Sequence, residues 1–250
     1  MNTDIILGII QGITEWLPIS SSGHLALAHA YFNTPTDIAY DLALHLGTLL
    51  AVFIYFRKEL LELLTAIATW NTKQFPYLGK LLLATAITGI LGFIFYDLLA
   101  PIFNNMPVIG LLFIINGLYL LFTSKTTGKN PITWIAALTI GLAQFFSILP
   151  SISRSGATIG TALLLGINKK EAFTFSFLLS IPAIIGANIF TLTKENLAWN
   201  MSHVIGIIIA AITGYIALAW CKRWLQENKF IYFGWYSIIL GVIVLLITLF

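Results

Sequence analysis

The sequence predicts an all-α, polytopic integral membrane protein in which six transmembrane helices and two re-entrant helical hairpins form an inverted-topology repeat. Three observations lead there. First, the 250 residues are 58% hydrophobic and 9% charged, with a mean hydropathy of +0.92, whereas a soluble globule carries about 25% charged residues. Second, mostly apolar windows of roughly 18–20 residues, long enough to cross a hydrocarbon core of ~30 Å, lie near 38–56, 78–97, 106–123, 171–193, 203–221 and 231–250. Third, GIIQGITEWLPISSSGH at 8–24 returns without a gap, 133 positions later, as GLAQFFSILPSISRSGA at 141–157. Six of those seventeen positions are identical: Gly8/Gly141, Gln11/Gln144, Ile19/Ile152, Ser20/Ser153, Ser22/Ser155 and Gly23/Gly156. Gly, Ser and Gln identities are hard to draw by chance from so apolar a composition.

The elements follow in order. Residues 5–32 form the first hairpin; no Lys or Arg precedes them and Asp4 does, so they read as mature structure rather than a signal-peptide core. An apolar run of about a dozen residues stops at the turn from Pro18 to Gly23 and resumes for about ten more, each part too short to cross. The spans 38–56, 78–97 and 106–123 complete repeat one, residues 1–123, with 57–76 between them as a partly amphipathic cytoplasmic helix. The polar loop 123–131 (TSKTTGKNP) divides the repeats. Repeat two, residues 132–250, opens with a second hairpin, 132–166, broken between Pro150 and Gly156, and continues through the last three spans. The single cysteine, Cys221, excludes an internal disulfide or a thiolate zinc cluster and reads as a small apolar residue at a helix end.

Basic residues set the orientation, because Lys and Arg near span ends stay on the cytoplasmic side. With the N-terminus outside, Arg57, Lys58, Lys73, Lys80, Lys125, Lys129, Lys169, Lys170, Lys222, Arg223 and Lys229 lie inside, Lys194 alone lies outside, and Arg154 falls at membrane depth. That distribution requires residues 5–32 to enter from outside and return, and residues 132–166 to do the same from inside. Broken backbone at membrane depth is tolerated only where protein buries it or a water-filled cavity receives it. The two tips are therefore expected to meet near the midplane, with Ser21 and Arg154, equivalent at the 133 offset, close to the pseudo-two-fold axis.

The repeats differ where chemistry would need them to: Glu15 faces Ile148, Ser21 faces Arg154 and His24 faces Ala157. Glu15 lies one helical turn after Gln11 on the same face, and a carboxylate inside a membrane usually lines a functional cavity. Gln11 fits a substrate contact or an interhelical bond shared with Gln144. Ser20, Ser21, Ser22 and His24 supply hydroxyls and an imidazole beside that carboxylate, the parts of a nucleophilic site. The same serines would also cap the half-helix that follows. Ser153, Arg154, Ser155 and Thr158 combine guanidinium, hydroxyl and helix N-terminal donors, which suits phosphate; a structural Arg154–Glu15 salt bridge is the alternative. His45 reads as a buried, hydrogen-bonded residue.

The strings QGITEWLPISSSGHL (11–25), DLALHLGTLLAV (41–52), LPSISRSGAT (149–158) and KKEAFTFSFLLSIPAIIGA (169–187) resemble, in order and over about 70% of the chain, the bacitracin-resistance type of undecaprenyl-diphosphate phosphatase. The resemblance implies a plasma-membrane enzyme, its active site opening to the outer face, that removes the terminal phosphate of undecaprenyl diphosphate and so recycles the carrier of cell-wall polymers. It also implies a divalent cation, Mg²⁺ or Ca²⁺, held by Glu15. It assigns Ser21, His24 and Glu15 to catalysis, and Arg154, Ser20, Ser22, Ser153, Ser155, Thr158 and Gln11 to substrate binding. Two departures stand out. Gln11 replaces the first glutamate found in many members, which shifts metal binding towards Glu15. Ser151 stands where the second motif usually has a glycine, so a positive φ there would strain the turn.

A phosphate ester's negative charge repels nucleophiles, so the site must neutralise it and aim an oxygen in line. Ser21, deprotonated by His24 or Glu15, is the expected nucleophile, with direct attack by water as the alternative. A lipid-phosphate flippase on the same inverted repeat is the rival from another class. The type-2 phosphatidic-acid phosphatases also use Ser-Gly-His and Ser-Arg motifs, but they expect a histidine six residues after the arginine, where this chain has Gly160. The expected partners are a polyprenyl diphosphate and membrane lipids, without nucleic acid; the sequence leaves a homodimer open.

Overall fold

The computed structural model describes residues 2–34, 38–123, 128–192 and 201–249. Lys125 and Lys194 of the charge count lie outside them. Twelve α-helices run among these residues: α1 (Asn2–Trp16), α2 (Ser21–Phe32), α3 (Ile38–Tyr55), α4 (Arg57–Ala68), α5 (Phe75–Ile94), α6 (Tyr96–Leu99), α7 (Met106–Thr123), α8 (Trp134–Phe146), α9 (Arg154–Leu164), α10 (Lys169–Leu192), α11 (Met201–Gln226) and α12 (Phe230–Leu249). The chain is an all-α polytopic membrane protein. Five of these helices, α5, α7, α10, α11 and α12, are long and apolar enough to cross a membrane. The window at 38–56 is α3, whose apolar stretch Tyr40–Tyr55 is shorter than the other five. The amphipathic segment expected over 57–76 is helical from Arg57 to Ala68 and again from Phe75, where α5 starts; between the two, Trp70 adopts φ 53° and turns the chain.

In each half a pair of short helices precedes the long ones, and each second short helix starts on a serine cap. Ser20 accepts a bond from the Gly23 N–H ahead of α2, and Ser153 accepts one from the Gly156 N–H ahead of α9. The packing partners recur between the halves. The helix α1 lies on α11 as α8 lies on α5, and α3 packs on α11 as α10 packs on α5, while α7 pairs with α12 and α3 with α10.

Lipid tails are as apolar as leucine, so helices in a bilayer associate through close packing rather than hydrophobic exclusion. Glycine allows this where backbones touch. A Cβ on Gly241 would lie 2.5 Å from the Gly110 carbonyl oxygen, and one on Gly117 would lie 2.5 Å from that of Gly234, so α7 and α12 meet backbone to backbone at two points seven residues apart. The core beneath the short helices is aromatic: Trp16, Phe56, Phe173 and Phe177 form one cluster, with Trp16 set edge-on to Phe177 at 5.4 Å. Exposed side chains such as Leu82, Phe93, Phe122, Ile135 and Ile247 give the bundle an apolar exterior suited to lipid.

Candidate active site

The two short-helix pairs meet at their turns. The Ser153 hydroxyl reaches the Leu17 carbonyl at 3.4 Å, and the gap between the turns is closed by Asn116 of α7, a buried residue that neither motif contains. Asn116 Nδ2 donates to the Pro18 carbonyl (3.1 Å) and to Ser237 Oγ of α12 (3.2 Å), while its Oδ1 accepts from the Ser153 N–H (3.0 Å). One amide therefore holds both turns.

Glu15, at the last turn of α1, is the centre of the site. Its side chain is only 7% exposed, and a carboxylate so far from water needs donors on every lone pair. Arg154 Nη2 donates to Oε1 at 2.6 Å. On Oε2 converge Ser21 Oγ at 2.5 Å, Gln11 Nε2 at 3.0 Å and, more distantly, His45 Nε2 at 3.3 Å. Arg154 lies over the Trp16 ring, its Cζ 5.0 Å from the centroid. Its second terminal nitrogen, Nη1, is buried without a hydrogen-bond partner among the described residues. A guanidinium with one arm on a carboxylate and the other free is a donor in search of an anion.

The structure thus gathers Gln11, Glu15, Ser21 and Arg154 into one network and places the other sequence-predicted residues around it. Ser20 and Ser22 bond each other at 3.2 Å across the α2 cap, and Ser153 and Ser155 do the same at 3.1 Å across the α9 cap. Thr158 faces away from the centre: its hydroxyl bonds the Arg154 carbonyl at 2.8 Å and Ser176 of α10 at 2.5 Å. His24 is not joined to Ser21. Its Nδ1 lies 2.7 Å from the Ser20 carbonyl and its Nε2 lies 2.7 Å from the Tyr236 hydroxyl, so the partner of the Ser21 proton here is Glu15. His45 is hydrogen-bonded, through Nδ1 to the Asp41 carbonyl at 2.8 Å, but it belongs to the site rather than to the core. Ser151, at φ 66°, takes the left-handed backbone expected of the glycine it replaces, and its buried hydroxyl has no partner among the described residues.

The donors suit a hard divalent cation in one restricted sense. Among the described residues no three His, Cys, Asp or Glu side chains converge as a ready cage. Glu15 and the Gln11 carbonyl oxygen, which is buried and has no hydrogen-bond partner among the described residues, are two hard oxygens one helical turn apart. Mg²⁺ binds in this way, with few protein oxygens and the remainder from phosphate and water.

Sequence reasoning passed over Asn116 and Tyr236. A lone amide inside the apolar span 106–123 was a usable signal, since polar side chains at membrane depth usually have a job. Tyr236 had none, being one aromatic in FIYFGWY, 212 residues from its partner.

Known proteins resemble this chain over nearly its whole length. Undecaprenyl-diphosphatase of Methanococcus vannielii is 38% identical over 247 residues, which cover 97% of this chain and 98% of that protein. The protein of the same name from Carboxydothermus hydrogenoformans is 38% identical over 256 residues, covering 97% and 95%. Undecaprenyl-diphosphatase 2 of Halalkalibacterium halodurans is 34% identical over 259 residues, covering 96% and 93%. With Glu15, Ser21 and Arg154 drawn together from two distant segments, and with residues 4–243 matching the family described as bacitracin resistance protein BacA, the chain belongs to that family.

Proposed function

We propose that this protein hydrolyses undecaprenyl diphosphate to undecaprenyl phosphate and inorganic phosphate, recycling the lipid carrier of cell-wall polymers and thereby conferring bacitracin resistance. The observation that carries the reading is the sharing of Glu15 between Ser21 of the first motif and Arg154 of the second. A hydroxyl, a carboxylate able to take its proton and a cation with a free arm are the parts that phosphoryl transfer needs at one point. The terminal phosphate binds to Arg154 Nη1 and to the N–H groups that open α2 and α9. Ser21 Oγ attacks phosphorus as its proton passes to Glu15. The bond from phosphorus to the bridging oxygen breaks, and undecaprenyl phosphate leaves with that oxygen. Water then attacks the phosphoserine, His24 takes a proton from the water, the Ser21 oxygen leaves phosphorus and recovers its proton from Glu15, and His24 gives its proton to the departing inorganic phosphate. A divalent cation held by Glu15 and Gln11 would supply further neutralisation of the phosphate charge.

The reading includes the setting. The two halves are read as inverted repeats whose turns meet within a plasma membrane, and the placement of basic residues supports a site that opens to the outer face. A carrier on the same scaffold would need only binding groups, whereas Ser21 and His24 have no serine-histidine counterpart in the second half.

Phosphate release from undecaprenyl diphosphate by the detergent-purified protein, with and without chelator, tests the reading. Release that the chelator suppresses is expected; a protein that releases no phosphate with Mg²⁺ or Ca²⁺ overturns it. Ser21→Ala is expected to lose about 10³-fold in rate, equivalent to about 4 kcal/mol of transition-state stabilisation. A Ser21→Ala protein within about tenfold of wild type would sink the phosphoserine and leave water as the nucleophile.

A further inference from the structure

Among the described residues the His24 side chain bonds through both ring nitrogens, and only one of them points back into its own helix turn. A carbonyl can only accept, so in the neutral ring the Nδ1 facing the Ser20 oxygen at 2.7 Å carries the hydrogen and Nε2 offers its lone pair. That lone pair receives the hydroxyl of Tyr236, 2.7 Å away on α12. The two rings are 6° from parallel with centroids 5.7 Å apart, so they meet edge to edge through that bond, and Phe113 of α7 packs against the imidazole at 5.3 Å with its plane nearly perpendicular. The imidazole is thus fixed in tautomer by one nitrogen and in plane and direction by two aromatic rings from helices outside its own motif.

We infer that Tyr236 is a positioning residue for the reaction, setting the plane of His24 and the direction of its proton-accepting nitrogen. The inference rests on the proposed phosphatase reading, in which His24 takes the proton of the attacking water. The hydroxyl meets Nε2 edge to edge and so holds the lone pair's direction until a phosphate-bound water takes its place, while Phe113 keeps the plane of the ring. Pre-aiming of this kind lowers the barrier of the chemical step and leaves substrate binding largely untouched. The contact also explains why α12 bears on the first motif through two adjacent residues, Tyr236 holding His24 and Ser237 holding the Asn116 that spans the turns.

The test is a double-mutant cycle in detergent with undecaprenyl diphosphate as substrate. Tyr236→Phe keeps the ring and drops the hydroxyl; Tyr236→Leu drops both. We expect kcat to fall roughly fivefold for Phe and about thirtyfold for Leu, with KM within about twofold of wild type. In a His24→Ala background neither change should cost more than about twofold, because the group being aimed is gone. Tyr236→Leu within about threefold of wild type, or an equal loss in both backgrounds, overturns the inference, since the second pattern describes packing alone. Should Tyr236→Leu not fold, Tyr236→Phe decides alone by the same cycle. A His24→Ala protein as fast as wild type would instead strike the role given to His24, and an inactive wild type would strike the phosphatase reading itself, so the three failures are distinguishable.

Discussion

Arg154 shows how much one side chain can be asked to do. It approaches Glu15 with one nitrogen, lies across the Trp16 ring and keeps a second nitrogen without a partner among the described residues. Lysine has the charge but neither the planar fork nor the stacking face. Arg154→Lys is therefore expected to abolish turnover nearly as fully as Arg154→Ala, measured as kcat/KM on undecaprenyl diphosphate. Substantial activity in the Lys variant would reduce the arginine to bulk charge, and loss of folded protein in both would make the bridge to Glu15 structural. Ser151 makes the opposite case, of a side chain that costs. Its φ of 66° lies in the left-handed region and its hydroxyl is buried without a partner among the described residues. Ser151→Gly removes both penalties and should stabilise the protein by roughly 1 kcal/mol, read as a raised thermal midpoint in detergent; an unchanged or lower midpoint would show that the turn carries no strain. The departure from the family motif pointed to this residue from sequence alone. The bond from Ser21 to Glu15 was legible only as one of two alternatives, because residues six apart across a turn can meet or miss depending on the turn's dihedral angles.

At the scale of elements, the short helices were the most readable feature, since a Pro- and Ser-rich break in an apolar run has few structural outcomes. What joins them was less so. Asn116 belongs to α7, and no local pattern links it to Pro18 or Ser153; such contacts come from tertiary packing. Replacing it tests whether the shared amide matters. Asn116→Ala loses every bond to both turns, and Asn116→Asp can still accept from the Ser153 N–H but can no longer donate to the Pro18 carbonyl. Turnover should fall at least about tenfold for Ala and at least as far for Asp, whose buried charge would face the Pro18 carbonyl oxygen. Ser237→Ala removes one bond to the amide without touching the turns, so its turnover should stay near wild type. Equal losses in Ser237→Ala and Asn116→Ala would assign the effect to α7–α12 packing. The amphipathic segment after α3 was overread by several residues for a plain reason: hydropathy does not see that Trp70 takes a left-handed conformation and stops the helix.

For the molecule as a whole, composition alone was enough to place the chain in a bilayer, and the echo between residues 8–24 and 141–157 located the two turns that carry the site. Which face each helix pair enters from rests on the basic residues, and single-cysteine labelling in intact cells checks it. With Cys221, a fully buried residue, replaced by serine, a cysteine at Thr34 should react with an impermeant reagent from outside, and one at Lys129 only after the membrane is opened. The reverse pattern would turn the protein over and move its site to the cytoplasmic face.

The glycine contacts between α7 and α12 have a mechanical consequence. A joint lined with side chains can be reset by changing rotamers, sliding one set of knobs past another in small steps. Where the Gly110 and Gly241 backbones touch, and again at Gly117 and Gly234, there are no knobs to reset, so the joint behaves as a weld that either holds or parts completely. Rocking the two halves about that line would leave bare backbone facing lipid at both welds. The same kind of joint fastens the first short helix, since a Cβ on Gly8 would run into the Gly206 carbonyl oxygen of α11, so the helix that carries Glu15 is anchored backbone to backbone as firmly as the pair that carries Asn116.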